Sequence, residues 1–221
     1  MRNKRYNLWS IFVVFGLLVF SIILPSVRPI IRQNNVRFIV DAGHGLPDGG
    51  AVGIDGTTEQ LLNLQIAQKL NSFLPEEQTV MSRDNEQSLA LVDGSIREKK
   101  IADMKARVSV AKKYDSALWI SIHMNTYPNS SVYGCQVFCK EDDRSRELAQ
   151  MLQNAINDRL QPNHTKQVKA IPKNLYLFQN ISNSAILIEC GFISNPDDLV
   201  KLKNETYQNE LAKLISEIVL Q

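Results

Sequence analysis

Two of the chain's three histidines and one glutamate stand at or just past the end of short apolar runs. His44 follows Arg37–Val40 and the start of a glycine-rich turn, His123 follows Ala117–Ile122, and Glu189 follows Ala185–Ile188. Imidazoles and a carboxylate from separate segments are the donors of a catalytic zinc, which takes three protein ligands and leaves a fourth position to water. A further carboxylate near such a metal can act as general base in hydrolysis. The stretch Val40 to Gly56 concentrates this material, with one histidine, three aspartates and six of the ten glycines. The chemistry it points to is metal-dependent hydrolysis with His44 as the first ligand.

Spacing alone does not choose the third ligand among Asp41, Asp48, Asp55 and Glu59. Asp55 precedes a glycine as in a turn, and Asp48 reads as a loop-former. Asp41 is either a partner that orients a ligand or a strand-end turn residue. Glu59 is equally explained as a favourable charge at a helix N-terminus. His164, in an aperiodic loop, reads as a histidine that satisfies a hydrogen bond. Cys135, Cys139 and Cys190 make neither a zinc pattern nor a disulfide framework. Cys135 and Cys139, four apart on one strand face, would lie about 13 Å from each other, beyond bridging distance. Cys190 reads as a small buried residue rather than a nucleophile.

The elements that must position these groups alternate between strand and helix. Arg37–Val40 reads as a buried strand. Leu62, Ile66, Leu70 and Phe73 then form one stripe of an amphipathic helix that ends before Pro75 and carries Glu59 in its first turn. Gln78–Arg83 reads as a second strand and 84–94 as a loop, with Ser95 as N-cap of a helix carrying Ile101, Met104, Val108 and Ala111. Ala117–Ile122 and Tyr133–Lys140 read as strands, and Leu148, Met151, Ala155 and Ile156 mark a helix. Residues 161–174 read as loop, Leu175–Phe178 as a short strand, and Ala185–Ile188 as the last strand. Phe192, Ile193 and Pro196 read as packing and turn residues, and Leu211 to Val219 as a closing helix. The expected fold class is α/β: a single domain with a mostly parallel central sheet flanked by helices. Ligands in such sheets bind beyond the carboxyl ends of the strands, where His44, His123 and Glu189 fall.

The chain has 221 residues, 44% of them hydrophobic and 22% charged, with a net charge of +2. That suits one globular domain and gives no basic excess for nucleic acid. Residues 8–24 carry no charge and follow Arg2, Lys4 and Arg5. They are expected to form a transmembrane helix and membrane anchor, with a basic cytoplasmic N-terminus over 1–7 and a linker over 25–35. A cleaved signal segment is the competing reading. The domain from 36 to 221 is then expected outside the cytoplasmic membrane.

Several blocks together carry a family resemblance. Asp-Ala-Gly-His-Gly at 41–45, Asp-Gly-Gly-Ala-Val-Gly at 48–53, Glu59, Ser82-Arg83, Arg107, Ser-Ile-His-Met-Asn at 121–125 and Ile-Glu-Cys-Gly-Phe-Ile-Ser-Asn-Pro at 188–196 occur in this order. The chain from about 36 to 220 resembles the zinc-dependent N-acetylmuramoyl-L-alanine amidases of the amidase-3 family, and within it the germination-specific branch of spore formers. The resemblance implies Zn2+ held by His44, Glu59 and His123, with Glu189 as the catalytic carboxylate. It implies cleavage of the amide between N-acetylmuramic acid and L-alanine in peptidoglycan, in spore cortex ahead of muramic lactam formation. The partners it implies are the glycan strand and stem peptide, and an activating or metal-stabilising protein. Asp41 moves to a supporting role, and Arg83 and Asn125 either touch substrate or brace loops. Two other readings use the same fold: a zinc peptidase cutting within the stem peptide, and a non-catalytic wall-binding regulator. Cys190 and Thr126 depart from residues common in relatives, and neither removes a ligand.

Overall fold

The computed structural model describes residues 35–221. The expected segments 1–7 and 8–24, and 25–35 save Asn35, lie outside the described residues. Among the described residues no helix is long and apolar enough to cross a membrane.

Among the described residues six strands form one sheet in the order β2-β1-β3-β6-β4-β5. They are β1 (Phe38–Ala42), β2 (Thr79–Met81), β3 (Leu118–Asn125), β4 (Gln136–Cys139), β5 (Lys169–Ala170) and β6 (Ala185–Phe192). β2, β1, β3 and β6 run parallel, β4 is antiparallel to β6, and β5 is parallel to β4. The expected mostly parallel sheet is therefore present, with a reversed edge.

Side-chain alternation along the central strands splits the interior in two. Phe38, Val40 and Ala42 of β1, Leu118, Ile120 and Ile122 of β3, and Ile186 and Ile188 of β6 enter the larger core. That core is covered by α1 (Glu59–Phe73), α3 (Asp143–Arg159) and α6 (Glu205–Val219). The intervening positions Ile39, Trp119 and Ala185 enter a smaller core with Val108, Ala111 and Leu177, supplied by α2 (Ile96–Lys113) and α4 (Tyr176–Gln179). On this second face the strands turn polar toward their carboxyl ends. Asp41, Ser121, His123 and Glu189 continue the rows begun by Ile39, Trp119 and Ala185, and all four line one cavity. The β register pairs His123 with Glu189 and Asp41 with Ser121.

Three elements depart from the sequence expectation. Leu175–Phe178, expected as a strand, runs from the N-cap Leu175 into the single helical turn α4, with Leu177 buried and Phe178 packed on the smaller core. A four-residue apolar run carries no periodicity that separates a strand from a helical turn. The strand in that region is instead β5, two exposed residues within the expected loop 161–174. Pro196 is not a simple turn residue: it opens helix α5 (Pro196–Lys203), with the Asn195 side chain accepting from the Asp198 N–H as N-cap. Proline suits the first helical position because its missing N–H has no intrahelical partner there. Ser95 is the expected cap of α2, in a full capping box with Glu98.

Candidate active site

His44 leaves β1 in the left-handed region, at φ 60°. Its Nδ1 lies 2.9 Å from Asp48 Oδ2, which turns Nε2 to 3.2 Å from Glu59 Oε1. His123, on β3, places Nδ1 2.9 Å from that same oxygen. The two imidazoles meet edge to face with centroids 5.2 Å apart. One donor atom from each of His44, Glu59 and His123 lies within 4.8 Å of the others. Glu59 comes from the first turn of α1 and is buried, its Oε2 accepting from the Ala51 N–H and its Oε1 from the Met124 N–H.

Two glycines make this convergence possible. A Cβ on Gly43 would lie 2.2 Å from ring atoms of His123. One on Gly50, at φ 68°, would lie 2.5 Å from Glu59 Oε2 and 2.9 Å from His44 Cδ2. Neither position admits a side chain without displacing a donor.

Electrostatics show what the cluster accepts. Burial opposes ionisation of Glu59, but hydrogen bonds and charge from His123 and His44 outweigh it and hold the carboxyl well below the usual range. Burial likewise works against a charged His44, yet Asp48 and Glu59 push it up to about 9. The cluster therefore favours positive charge at its centre. Two imidazoles and a carboxylate match a three-ligand catalytic zinc set, so these residues fit the metal. Glu189 stands beside them with Oε2 buried and lacking a hydrogen-bond partner among the described residues. Burial, reinforced by the Glu59 charge and opposed by the histidines, pushes its carboxyl up to about 7.

A second charge system underlies the first. Arg107 of α2 donates to Asp41 and, at 2.8 Å, to Asp103, while its other nitrogen reaches the His44 carbonyl at 2.5 Å. Asp41 also accepts from Ser82 and Ser121, each at 2.7 Å. Asp41 thus supports the His44 backbone through Arg107 and makes no hydrogen bond to an imidazole. Arg83 is a brace: its guanidinium donates to the carbonyls of Ala42, Gly43, His44, Asn85 and Gln60 and leaves the cavity wall to others. Asn125 lines the cavity, with Oδ1 accepting from the Thr126 N–H and its carbonyl from Ile193.

Sequence reasoning missed two residues here. Asp48, read as a loop-former, orients His44, and its spacing of four from the histidine inside an aperiodic loop gave little signal. Asp103 pairs with Arg107 at an i,i+4 helical spacing that could have revealed it. Asp55 and His164 lie outside the site: Asp55 is paired with Lys203, and His164 stacks on Tyr133 with centroids 4.0 Å apart. All three cysteines are buried free thiols.

The cavity has a volume of about 500 Å³, with the cluster and Glu189 on its lining and α2 and α4 supplying walls. Two imidazoles and two carboxylates gathered at the strand ends of an open α/β sheet are the makings of a metal-dependent hydrolase site. The chain belongs to the Amidase_3 family, N-acetylmuramoyl-L-alanine amidase, which matches residues 38–221. It is 33% identical over 187 residues to the germination-specific N-acetylmuramoyl-L-alanine amidase of Bacillus subtilis, covering 82% of this chain and 77% of that one. The CwlD amidase of Clostridioides difficile, solved in complex with the GerS lipoprotein, superposes with a TM-score of 0.79 at 30% identity, covering 84% of this chain and 97% of that one. AmiC2 of Nostoc punctiforme, also an N-acetylmuramoyl-L-alanine amidase, gives 0.69 at 25% identity, covering 84% and 96%.

Proposed function

We propose that this chain is a zinc enzyme that hydrolyses the amide between the lactyl group of N-acetylmuramic acid and the L-alanine of the peptidoglycan stem peptide. The observation that carries this reading is the meeting of His44 Nε2 and His123 Nδ1 on one buried Glu59 oxygen beside Glu189, in a chain of the amidase family. His44, Glu59 and His123 would hold the metal. Bound Zn2+ supplies Lewis acidity toward the scissile carbonyl and the attacking water.

The chain's own residues do the rest. Asp48 accepts the Nδ1–H of His44, fixing the tautomer that presents Nε2 to the cluster. Glu189 takes the proton of the attacking water and returns it to the departing L-alanine nitrogen. Its burial, which opposes ionisation, suits a carboxyl that must both take up and give back that proton. Arg107 and Arg83 hold the carbonyls of the 42–44 turn, so His44 stays aimed while substrate enters.

The proposal extends to setting. Likeness to the Bacillus subtilis germination-specific enzyme supports action in spore cortex, ahead of muramic lactam formation. Residues 8–24 anchor the chain and hold the catalytic domain outside the cytoplasmic membrane, which protease digestion of intact protoplasts would check. The lipoprotein complex of the Clostridioides difficile relative supports a protein partner that activates the enzyme or secures its metal. The test of the reaction is mass spectrometry of sacculi treated with the full-length chain and zinc. Stem peptides with a free N-terminal L-alanine are expected; a new amine at an internal stem residue would make the enzyme a peptidase instead.

A further inference from the structure

Helix α2 turns one face to the cavity. Ile96, Lys99, Lys100, Asp103, Met104 and Arg107 follow the three-and-four spacing of a single helical stripe, and all six line the cavity. Three of them are cations, and two are already committed. Arg107 is held between Asp41 and Asp103, and Lys100 Nζ lies 2.9 Å from Asp48 Oδ1. Lys99 is half-buried and has no ion-pair partner among the described residues. It is the uncommitted positive charge on this wall.

The proposed substrate is asymmetric in charge across the scissile amide. On the sugar side the amine is acetylated and the lactyl carboxyl is consumed in the amide itself, so that half is neutral near the bond. The peptide side carries free carboxylates. Lys99 precedes Arg107 by eight residues (107 minus 99), which places it about 12 Å further along the helix from the buried end beneath His44. An extended peptide advances about 3.3–3.6 Å per residue, so a carboxylate one or two residues beyond the L-alanine comes within reach of a lysine at that distance.

We propose that Lys99 is a specificity-determining residue that binds a stem-peptide carboxylate on the leaving side of the scissile amide. This rests on the amidase reading above. It makes α2 the peptide-binding wall of the cavity and gives the enzyme a preference between stems whose second residue bears a free carboxylate and stems in which that group is a carboxamide.

Steady-state kinetics of the full-length zinc-loaded chain on two synthetic muramoyl peptides, identical except for carboxylate or carboxamide on the second stem residue, tests it. Wild type is expected to favour the acid by about 10-fold in kcat/KM, the worth of one charge-assisted hydrogen bond, with the difference carried by KM. Lys99→Gln is expected to bring the two substrates to equal kcat/KM by raising KM for the acid, and Lys99→Arg to keep the preference. Wild type without a preference, or Lys99→Gln that retains it, overturns the assignment. Cleavage of neither substrate by wild type, with zinc bound and with the lipoprotein partner of the kind seen in the Clostridioides difficile complex supplied, overturns the amidase reading itself and this proposal with it.

Discussion

Two charge clusters lie on either side of the Gly43–His44 backbone, and they are built differently. Below it, Asp41, Arg107 and Asp103 alternate in sign, Arg107 is fully buried, and the remaining acceptor sites of Asp41 are filled by Ser82 and Ser121. Above it, His44, Glu59 and His123 aim their donor atoms at one another across a few ångströms, and Glu189 keeps an oxygen without a partner among the described residues. The lower cluster is closed and complete in the protein alone. The upper one is convergent, and its donors fit a cation that they would share. Buried polar groups are ordinarily satisfied by their own structure. The cluster that departs from this is the one suited to chemistry, and the closed cluster beneath holds it in place.

The sharpest way to break that division is Arg107→Met. It leaves Asp41 and Asp103 buried without their counter-charge and is expected to cost about 3–5 kcal/mol of stability, measured by urea unfolding. Loss of under 1 kcal/mol would mean the lower cluster is no scaffold. Next in size is Asp48→Asn, which keeps the shape of the loop but removes the anionic acceptor that orients His44. Zinc affinity is expected to fall about 10–100-fold, as ordinary for the partner of a ligating histidine, read by competition with a chromophoric chelator. Stability should change little, since Asp48 is partly exposed. The smallest effect concerns pH. Burial opposes ionisation of Asp41, yet Arg107 and the two serines hold its folded-state pKa below 3.8. Its contribution to stability is therefore fully present above about pH 4 and lost as pH falls through the folded value. Asp41→Asn should flatten the acid side of the stability profile below about pH 4.

Much of the site was legible because it rides on strands. β1, β3 and β6 are buried on both faces, so each reads as an apolar run, and the polar residue that ends the run marks the cavity: Asp41, His123, Glu189. Glu59 was harder, since it enters from the start of a helix, where an acidic residue has an ordinary reason to be, and the residues alone left it level with three aspartates. Asp48 was illegible as an orienting group because its contact with His44 depends on the loop's path and on glycine-only approaches such as Gly50. The same holds for α4 and α5. A one-turn helix has no period to read, and α5 begins at a proline that serves equally well in a turn. Arg83 could not be separated from a substrate contact until its five carbonyl partners were placed.

The contrast between the clusters comes down to Glu189→Gln, followed by zinc stoichiometry and turnover on muropeptides in one preparation. In the proposed reaction Glu189 serves the open cluster's chemistry and makes none of the contacts that would hold the metal. The variant is expected to bind zinc as wild type does while turnover falls about 100- to 10,000-fold, the range of a positioned general base. Turnover retained at wild-type rate would contradict Glu189 as the base, and zinc lost with it would place Glu189 among the groups that hold the metal.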